Sequence, residues 1–135
     1  MKITPVSIVI PYKIEEGKLS IWMQKRETKD DLFGALEFPG GKIESGEDPS
    51  LAATREIEEE TGVLLDKDRL RLATIYSNSL KQKSVCLYVY VYIDNGEFSS
   101  NWYLYEDRKD FIEEIPPANQ AFLDGVLTNI NPVKS

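Results

Sequence analysis

Apolar and polar residues alternate along several stretches of this chain, a pattern that predicts β-strands. The clearest stretch covers residues 84–94, where valines and a leucine fall on one face and Cys86 and three tyrosines on the other. The first strand is predicted to end near Pro11, and residues 15–18 are predicted to form a hairpin turn. Besides 84–94, the predicted strands are residues 3–12, 19–24, 69–79 and 102–105, with a strand fragment at 36–38.

Two stretches carry the signals of helices. Asp48 stands where an N-cap belongs, Pro49 suits the first helical position and Gly62 supplies a left-handed stop. A helix is therefore predicted between Asp48 and Gly62. A second, amphipathic helix is predicted at residues 118–127, after two consecutive prolines that break the chain. Its inward residues are predicted to be Phe122, Val126 and Leu127.

Three glutamates of the first helix fall on one face, because Glu56, Glu59 and Glu60 stand three and four residues apart. Like charges at this spacing cost about 0.2–0.5 kcal/mol per pair, and acids near a helix C-terminus oppose its dipole. The helix shows no local compensation, which is typical of a functional site. A divalent cation such as Mg²⁺ or Mn²⁺ would neutralise these carboxylates and suits their hard oxygen atoms. The alternative is a solvated acidic face.

Composition restricts the chemistry further. The 135 residues are 41% hydrophobic and 29% charged, as in an ordinary globular domain. A formal net charge of −7 disfavours nucleic-acid polymers and anionic membranes, which require a basic face. The absence of histidine excludes Ser-His-Asp triads and Cys/His zinc sites, and the single cysteine excludes an intramolecular disulfide. Without a signal-peptide core or an apolar run of membrane length, we expect a cytoplasmic protein.

The stretch around the first helix matches a family motif at every specified position. The motif reads G-x5-E-x7-R-E-U-x-E-E-x-G-U, in which U is a bulky aliphatic residue. The chain fills it with Gly41, Glu47, Arg55, Glu56, Ile57, Glu59, Glu60, Gly62 and Val63. Seven specified residue types at roughly 7% each make a chance match on the order of 10⁻⁸ per start point. The sequence therefore resembles the Nudix hydrolases, over most of its length.

This resemblance implies a fold and a reaction. The fold is a Nudix-type α/β/α sandwich with a mixed β-sheet, in which the motif forms a loop–helix–loop within a single domain, residues 1–135. A loose tail is expected at residues 129–135. The reaction is hydrolysis of a nucleoside diphosphate linked to another group, with Mg²⁺ as cofactor and Mn²⁺ able to substitute. Likeness to the family's mutator proteins, in the run LEFPGGKIE, narrows the reaction to a nucleoside triphosphate yielding a monophosphate and pyrophosphate.

The resemblance also assigns roles around the motif. The metal ligands would be Glu56, Glu59, Glu60 and the carbonyl of Gly40. Glu56 or Glu59 would accept the proton of the attacking water, since crowding by other carboxylates raises the proton affinity of one of them. Arg55 and Glu47 would support the ligands, because Arg55 orients carboxylates by ion pairing.

Residues outside the helix receive roles from the same resemblance. The substrate-binding candidates are Arg26, Glu37, Lys42 and Asn119. Arg26 and Lys42 would bind phosphate, with a solvated arginine and an exposed lysine as the alternatives. Asn119 would read a purine edge through its amide, and the alternative is an N-cap of the last helix. Glu97 is a further candidate metal ligand, offset by one position from the family pattern, and a surface glutamate is the alternative.

Three functions are open at this point. The first is pyrophosphohydrolysis of a purine deoxynucleotide such as dGTP or 8-oxo-dGTP. The second is hydrolysis of a pyrimidine (CTP-like) triphosphate or of a nucleoside diphosphate sugar. The third is non-catalytic nucleotide sensing, which the intact set of destabilising glutamates disfavours. The expected partner is a small nucleotide, with no nucleic-acid polymer and no membrane, and the chain is expected to be a monomer or a homodimer.

Overall fold

The computed structural model of the protein describes residues 2–80 and 83–130, so residues 131–135 of the expected loose tail lie outside it. The helices are α1 (Pro49–Thr61) and α2 (Pro117–Thr128), with short 3₁₀ helices at Lys67–Arg69, Tyr105–Asp110 and Ile112–Glu114. No helix in the described ranges is long and apolar enough to cross a membrane. The strands are β1 (Lys2–Glu15), β2 (Lys18–Trp22), β3 (Gln24–Lys25), β4 (Leu36–Glu37), β5 (Gly40–Lys42), β6 (Leu70–Leu80), β7 (Lys83–Ile93) and β8 (Trp102–Leu104).

The described residues form two compact units, and β1 supplies residues to both. The pairs whose register is described are all antiparallel: β1 with β2 and with β5, β2 with β8, β3 with β4, and β6 with β7. Unit 1 takes Met1–Ile10 and Pro39–Ile93, and unit 2 takes Pro11–Phe38 and Asp94–Ser135.

In unit 1 the strand order is β6–β7–β1, and β5 also pairs with β1. The β6–β7 hairpin runs from the pair Leu70↔Tyr92 to its tip, with one irregularity between Leu72 and Thr74. The alternating pattern thus predicts β7 correctly. The tyrosine face of β7 is used for packing, since Tyr90 and Tyr92 are 7% and 0% exposed.

Helix α1 of unit 1 begins and ends where the sequence predicts. The carboxylate of Asp48 accepts a hydrogen bond from the Ser50 backbone N–H at 2.8 Å, and Gly62 ends the helix at φ 79°. The face turned inward is completely buried and carries small or aliphatic side chains: Ala52, Ala53 and Ile57. Close packing on this face leaves the glutamates on the remaining surface of the helix.

In unit 2, β1 and β2 join through a tight hairpin in which Glu16 and Gly17 both have positive φ, at 53° and 76°. Two central residues with positive φ match the right-handed twist of the strands. The predicted end of β1 near Pro11 is wrong, because the strand continues to Glu15. The fixed φ of proline suits an extended strand, and the described pairing with β2 begins only at Tyr12.

Helix α2 of unit 2 is one residue longer at each end than the predicted 118–127. Its predicted inward residues are confirmed, because Phe122, Val126 and Leu127 are buried. The helix starts at Pro117 with Pro116 in the N-cap position, and no side chain caps it. Asn119 is therefore the third residue of the helix, and the N-cap alternative for Asn119 is wrong.

The backbone of Gly40 lies too close to β1 to tolerate a side chain. A Cβ at Gly40 would overlap the carbonyl oxygen of Ser7 and lie 2.7 Å from the Cα of Ile8, and Gly40 has φ +155°. We expect Gly40→Ala to separate β5 from β1 and to lower the free energy of unfolding by more than about 1 kcal/mol, measured by urea denaturation.

Gly125→Ala is the matched control, because Gly125 lies in α2 and nothing lies within 4 Å of an added Cβ. Alanine favours a helix over glycine, so this variant should gain about 0.5–1 kcal/mol. Wild-type stability of Gly40→Ala would show that β5 does not depend on this close approach.

Candidate active site

The carboxylate of Glu56, on α1, lies directly against the backbone of Gly41, on β5. A Cβ at Gly41 would come within 2.6 Å of Glu56 Oε1, closer than the 3.0 Å below which real Cβ contacts are essentially absent. The Glu56 side chain is accordingly only 18% exposed. A glycine at position 41 is therefore what admits the first glutamate of the cluster.

The guanidinium of Arg55 connects the acidic residues. It forms a bidentate pair with Glu47, in which Nε donates to Oε2 at 2.8 Å and Nη2 to Oε1 at 3.0 Å. Nη1 donates to Glu56 Oε1 at 2.9 Å and to Glu59 Oε2 at 3.4 Å. Nη2 also donates to the carbonyl of Lys42 at 3.1 Å. This corrects the expectation that the helix glutamates lack local compensation, since Arg55 pairs with two of them.

Pairing changes the proton affinity of both partners. Hydrogen bonds from Arg55, and next from the backbone N–H of Glu44, lower the pKa of Glu47 to about 2. The hydrogen bond with Glu47 in turn raises the pKa of Arg55 above its ordinary range. Both groups therefore stay ionised throughout the physiological range.

The three helix glutamates differ in their surroundings. Glu59 is 59% exposed, against 18% for Glu56. Glu60 Oε1 accepts a hydrogen bond from the backbone N–H of Gly40 at 3.4 Å. Over residues 2–80 and 83–130, no three acidic or cysteine side chains converge into a ready-made metal-binding group. The predicted ligands thus lie on β5 and on one face of α1, and their hydrogen-bond donors are Arg55 and the backbone N–H of Gly40.

The donor set fits a hard divalent cation. Carboxylates and backbone carbonyls are the oxygen ligands that Mg²⁺ takes, and Mg²⁺ keeps several waters and so needs few protein ligands. The backbone of Gly41 leaves beside Glu56 the space that any side chain would fill. The residues that could hold a cation are Glu56, Glu59, Glu60 and the carbonyl of Gly40, while Arg55 holds one oxygen each of Glu56 and Glu59.

Arg26, in unit 2, is occupied by two carboxylates. Its Nε donates to both oxygens of Asp30 at 3.1 and 3.2 Å, Nη2 donates to Asp30 Oδ2 at 2.6 Å, and Nη1 donates to Glu37 Oε2 at 3.1 Å. Hydrogen bonds to Asp30 first, and then to Glu37, raise the pKa of Arg26 above its ordinary range. The alternative of a simply solvated arginine is wrong. Two of the five guanidinium N–H groups remain for another acceptor.

Lys42 lies on β5 in unit 1 and is exposed. Its backbone carbonyl accepts from Arg55, and its ammonium forms no ion pair with any residue that the structure describes. An exposed lysine and a phosphate-binding lysine both agree with this placement.

Glu97 and Asn119 both belong to unit 2 and have different surroundings. Glu97 Oε1 accepts from the backbone N–H of Asn95 at 2.7 Å, within the turn that follows β7. The Asn119 side chain is half-buried and makes no hydrogen bond to the described part of the chain. The neighbouring Gln120 instead donates to the carbonyls of Ile112 and Ile115, at 2.9 and 2.7 Å.

Two residues that organise these side chains were not anticipated from the sequence. Asp30 holds Arg26, and the available signal was their opposite charge at a spacing of four residues. Gln120 holds the start of α2 against the preceding 3₁₀ turn, and no local pattern announces such a bond.

The low pKa of Glu47 predicts a pH dependence of stability. The ordinary pKa of 4.5 applies to the unfolded chain and about 2 to the folded one, so folding favours the ionised carboxylate. The stabilisation is fully present above about pH 5 and is lost as the pH falls toward the folded pKa. We expect the difference in free energy of unfolding between wild type and Glu47→Gln to be constant above this window and to shrink within it.

Urea denaturation between pH 2 and 7 measures this difference. Glu44→Gln is the control, because Glu44 is 71% exposed and only approaches Arg55 to 4.0 Å, so its difference should be smaller throughout. A difference for Glu47→Gln that stays the same at every pH would contradict the pairing described above.

The chain matches the family description of the NUDIX domain over residues 3–126. It is 46% identical over 44 residues to 8-oxo-dGTP diphosphatase of Haemophilus influenzae, covering 33% of this chain and 32% of that protein. It is 36% identical over 63 residues to ADP-ribose pyrophosphatase of Bacillus subtilis, covering 47% of this chain and 33% of that protein. The matched part thus spans about a third of the length of these curated relatives.

Among solved structures, the chain resembles MutT from Aliivibrio salmonicida and Vibrio cholerae. The identity is 21% over 92% of this chain and 95% of that one, with a TM-score of 0.69. Likeness at this identity shows the fold, and the Nudix-type α/β fold predicted from the motif is confirmed. With a domain match that extends over residues 3–126, the chain belongs to the Nudix family.

Proposed function

We propose that the chain is a metal-dependent nucleoside triphosphate pyrophosphohydrolase, a single cytoplasmic Nudix domain of residues 1–135. The observation that carries this proposal is the arrangement around Arg55, which orients Glu56 and Glu59 while Gly41 makes room for Glu56. In the reaction, the oxygen of water bonds to one phosphorus of the triphosphate and a bridging phosphoanhydride bond breaks. The products are a nucleoside monophosphate and pyrophosphate.

The chain's own residues hold the cation and the water proton. Glu56, Glu59, Glu60 and the Gly40 carbonyl hold Mg²⁺ or Mn²⁺, and the chemistry that this cation supplies when bound is neutralisation of phosphate charge and polarisation of water. Glu56 or Glu59 accepts the proton of water, and Arg55 Nη1 orients the carboxylate by holding one oxygen of each. Arg55 itself keeps its proton, since Glu47 raises its pKa.

Phosphate recognition is assigned to the cationic candidates. The exposed ammonium of Lys42 has no ion pair among the described residues, so it can bind a phosphate oxygen without releasing a partner. Arg26 binds with its two remaining N–H groups, while Glu37 and Asp30 hold the guanidinium in place. Whether Glu97 joins the metal ligands stays a prediction, because one of its oxygens accepts from Asn95.

The preferred substrate that we propose is a purine deoxynucleotide such as dGTP or 8-oxo-dGTP. Support comes from the relative named 8-oxo-dGTP diphosphatase and from Asn119, whose amide carries a donor and an acceptor and has no hydrogen bond to any residue that the structure describes. Because Asn119 is not the N-cap of α2, its amide is not used for capping, and we assign it to recognition of a purine edge.

A second substrate class is favoured by a specific observation. The relative named ADP-ribose pyrophosphatase matches a longer stretch of this chain, 63 residues, than the 8-oxo-dGTP diphosphatase does. A nucleoside diphosphate sugar therefore remains the alternative, followed by a pyrimidine (CTP-like) triphosphate. A non-catalytic nucleotide sensor is the least favoured alternative, because it would not need three glutamates on one face of a helix.

The proposed partner is a small nucleotide. A net charge of −7 opposes binding to nucleic-acid polymers and anionic membranes, whereas a divalent cation held by the glutamates would neutralise part of their negative charge and so favour an anionic substrate. The proposed oligomeric state is a monomer or a homodimer.

Hydrolysis should require the helix glutamates and a divalent cation. Pyrophosphate and monophosphate release would be measured with Mg²⁺ on the eight common nucleoside triphosphates, 8-oxo-dGTP and ADP-ribose. We expect Glu59→Gln to lower kcat on the best substrate by at least about 100-fold, because it removes a metal ligand or proton acceptor. Activity that persists in excess EDTA would refute the metal requirement.

Glu58→Gln is the matched control. It removes the same charge from the same helix at an exposed position outside the cluster, so its kcat should stay within about twofold of wild type. An equal loss in both variants would mean that helix charge, and not the cluster, controls the rate.

Asn119 should determine base preference. Asn119→Asp retains the shape of the side chain but loses its N–H donor. The loss of transition-state stabilisation for the preferred purine nucleotide, calculated from kcat/KM, should be about 1–3 kcal/mol, with little change for poor substrates. Asn129→Ala is the control, because Asn129 is exposed at the other end of α2 and its side-chain amide donates to the carbonyl of Gly125 at 3.4 Å. An unchanged substrate ranking in Asn119→Asp would remove the residue-level support for a purine.

A further inference from the structure

Ser7, on β1, is a polar residue whose side chain is completely buried, at 0% exposure. Its hydroxyl donates to the backbone carbonyl of Pro49 at 2.7 Å. Burying a hydroxyl without a hydrogen-bond partner is unfavourable, so this bond explains why a polar side chain is tolerated at this buried position. The acceptor is the first residue of the helix that carries the glutamates.

The backbone of Ser7 also faces the turn that precedes this helix. Ser7 is the ladder partner of Gly41 in the pairing of β1 with β5. Its carbonyl oxygen occupies the place where a Cβ on Gly40 would lie. One residue of β1 therefore touches both elements of the candidate active site, through its backbone on β5 and through its hydroxyl on α1.

These contacts close a ring. From Pro49 the helix rises by seven residues, about 10.5 Å, to Glu56. The carboxylate of Glu56 returns to lie against Gly41, which stands opposite Ser7. Because intrahelical hydrogen bonds make the residues of α1 move together, a displacement of Pro49 would displace Glu56 relative to Gly41. The hydrogen bond from Ser7 connects β1 to the start of α1 and so holds the first turn of the helix in place.

We propose that Ser7 is a positioning residue for Glu56. Its hydroxyl holds the first turn of α1 at a fixed place relative to β5 and thereby holds the Glu56 carboxylate against Gly41, where Arg55 Nη1 meets it. The inference deepens the proposed function, on which it rests for the role of Glu56 toward a cation. Ser7 itself touches neither the cation ligands nor Arg55 through its side chain in the bonds described.

Ser7→Ala removes the hydroxyl and leaves the shape of the side chain nearly unchanged. In metal-free protein, we expect the backbone amide resonances of Gly40 and Gly41 to shift in NMR spectra. Mn²⁺ affinity, measured by electron paramagnetic resonance, should weaken about fivefold to tenfold, and kcat should fall about tenfold with KM within about twofold, because small displacements of a reacting group are costly.

Ser20→Ala is the matched control, since it also removes the hydroxyl of a buried serine, one that is 9% exposed and lies on β2 of unit 2. It should leave the Gly40 and Gly41 resonances, the Mn²⁺ affinity and kcat at wild-type values. If Ser7→Ala does not fold, Ser7→Cys takes its place, because a thiol fills the same site but is a weak donor. The same shifts and losses are expected of it.

The outcomes separate positioning from plain stability. A folded Ser7 variant with wild-type resonances at Gly40 and Gly41 and wild-type Mn²⁺ affinity would overturn the proposal, even if its melting temperature were lower. Equal effects in Ser7→Ala and Ser20→Ala would overturn it as well. The NMR and Mn²⁺ measurements need no substrate, so a wild-type protein that hydrolyses no nucleotide would refute the proposed function while these two measurements still decide the role of Ser7.

Discussion

The bidentate pair between Arg55 and Glu47 is the interaction on which the rest of unit 1's polar centre depends. Glu47 comes from the loop before α1, and one of its oxygens also accepts from the backbone of Glu44, so the carboxylate fixes the loop while it fixes the guanidinium. The remaining donors of Arg55 then point to Glu56, Glu59 and the Lys42 carbonyl because the guanidinium fork is planar and rigid. A lysine could supply the charge but not this geometry.

The local features of this centre can be predicted from the sequence, whereas the contacts between residues distant in the chain cannot. The limits of α1 follow from residues next to it in the chain, since Asp48 and Gly62 act on neighbouring backbone groups. The shared face of the glutamates follows from helical spacing alone. The bond from Arg55 to the Lys42 carbonyl does not, because Lys42 stands thirteen residues away in the chain, on β5, which pairs with β1. Ser7 shows the same limit, as its acceptor lies 42 positions further along the chain.

In unit 2, the preference of asparagine for helix N-caps gives the wrong alternative for Asn119. Asparagine is a favoured helix cap, yet the proline pair sets the start of α2 two residues before Asn119, because Pro117 already has helical φ. The bonds that stabilise this start come from Gln120, the next side chain, which reaches back to two carbonyls of the preceding turn. Of two adjacent amides, one is therefore used for structure, and the other has no hydrogen bond to the described residues. Arg26 makes a similar point, since its charge was evident but Asp30 and Glu37 decide which of its N–H groups are available.

The close approach of Glu56 to Gly41 separates two properties that are usually altered together. Replacing a glutamate changes the electrostatics of a site and its shape at once. At Gly41, a single added methyl group would displace the Glu56 carboxylate by steric exclusion while every ionisable group of the chain is retained. An isoelectric variant of this kind keeps the net charge of the site and displaces the carboxylate of a proposed ligand, Glu56. The glycine thus offers a way to weigh placement against charge in a cluster where both are expected to matter.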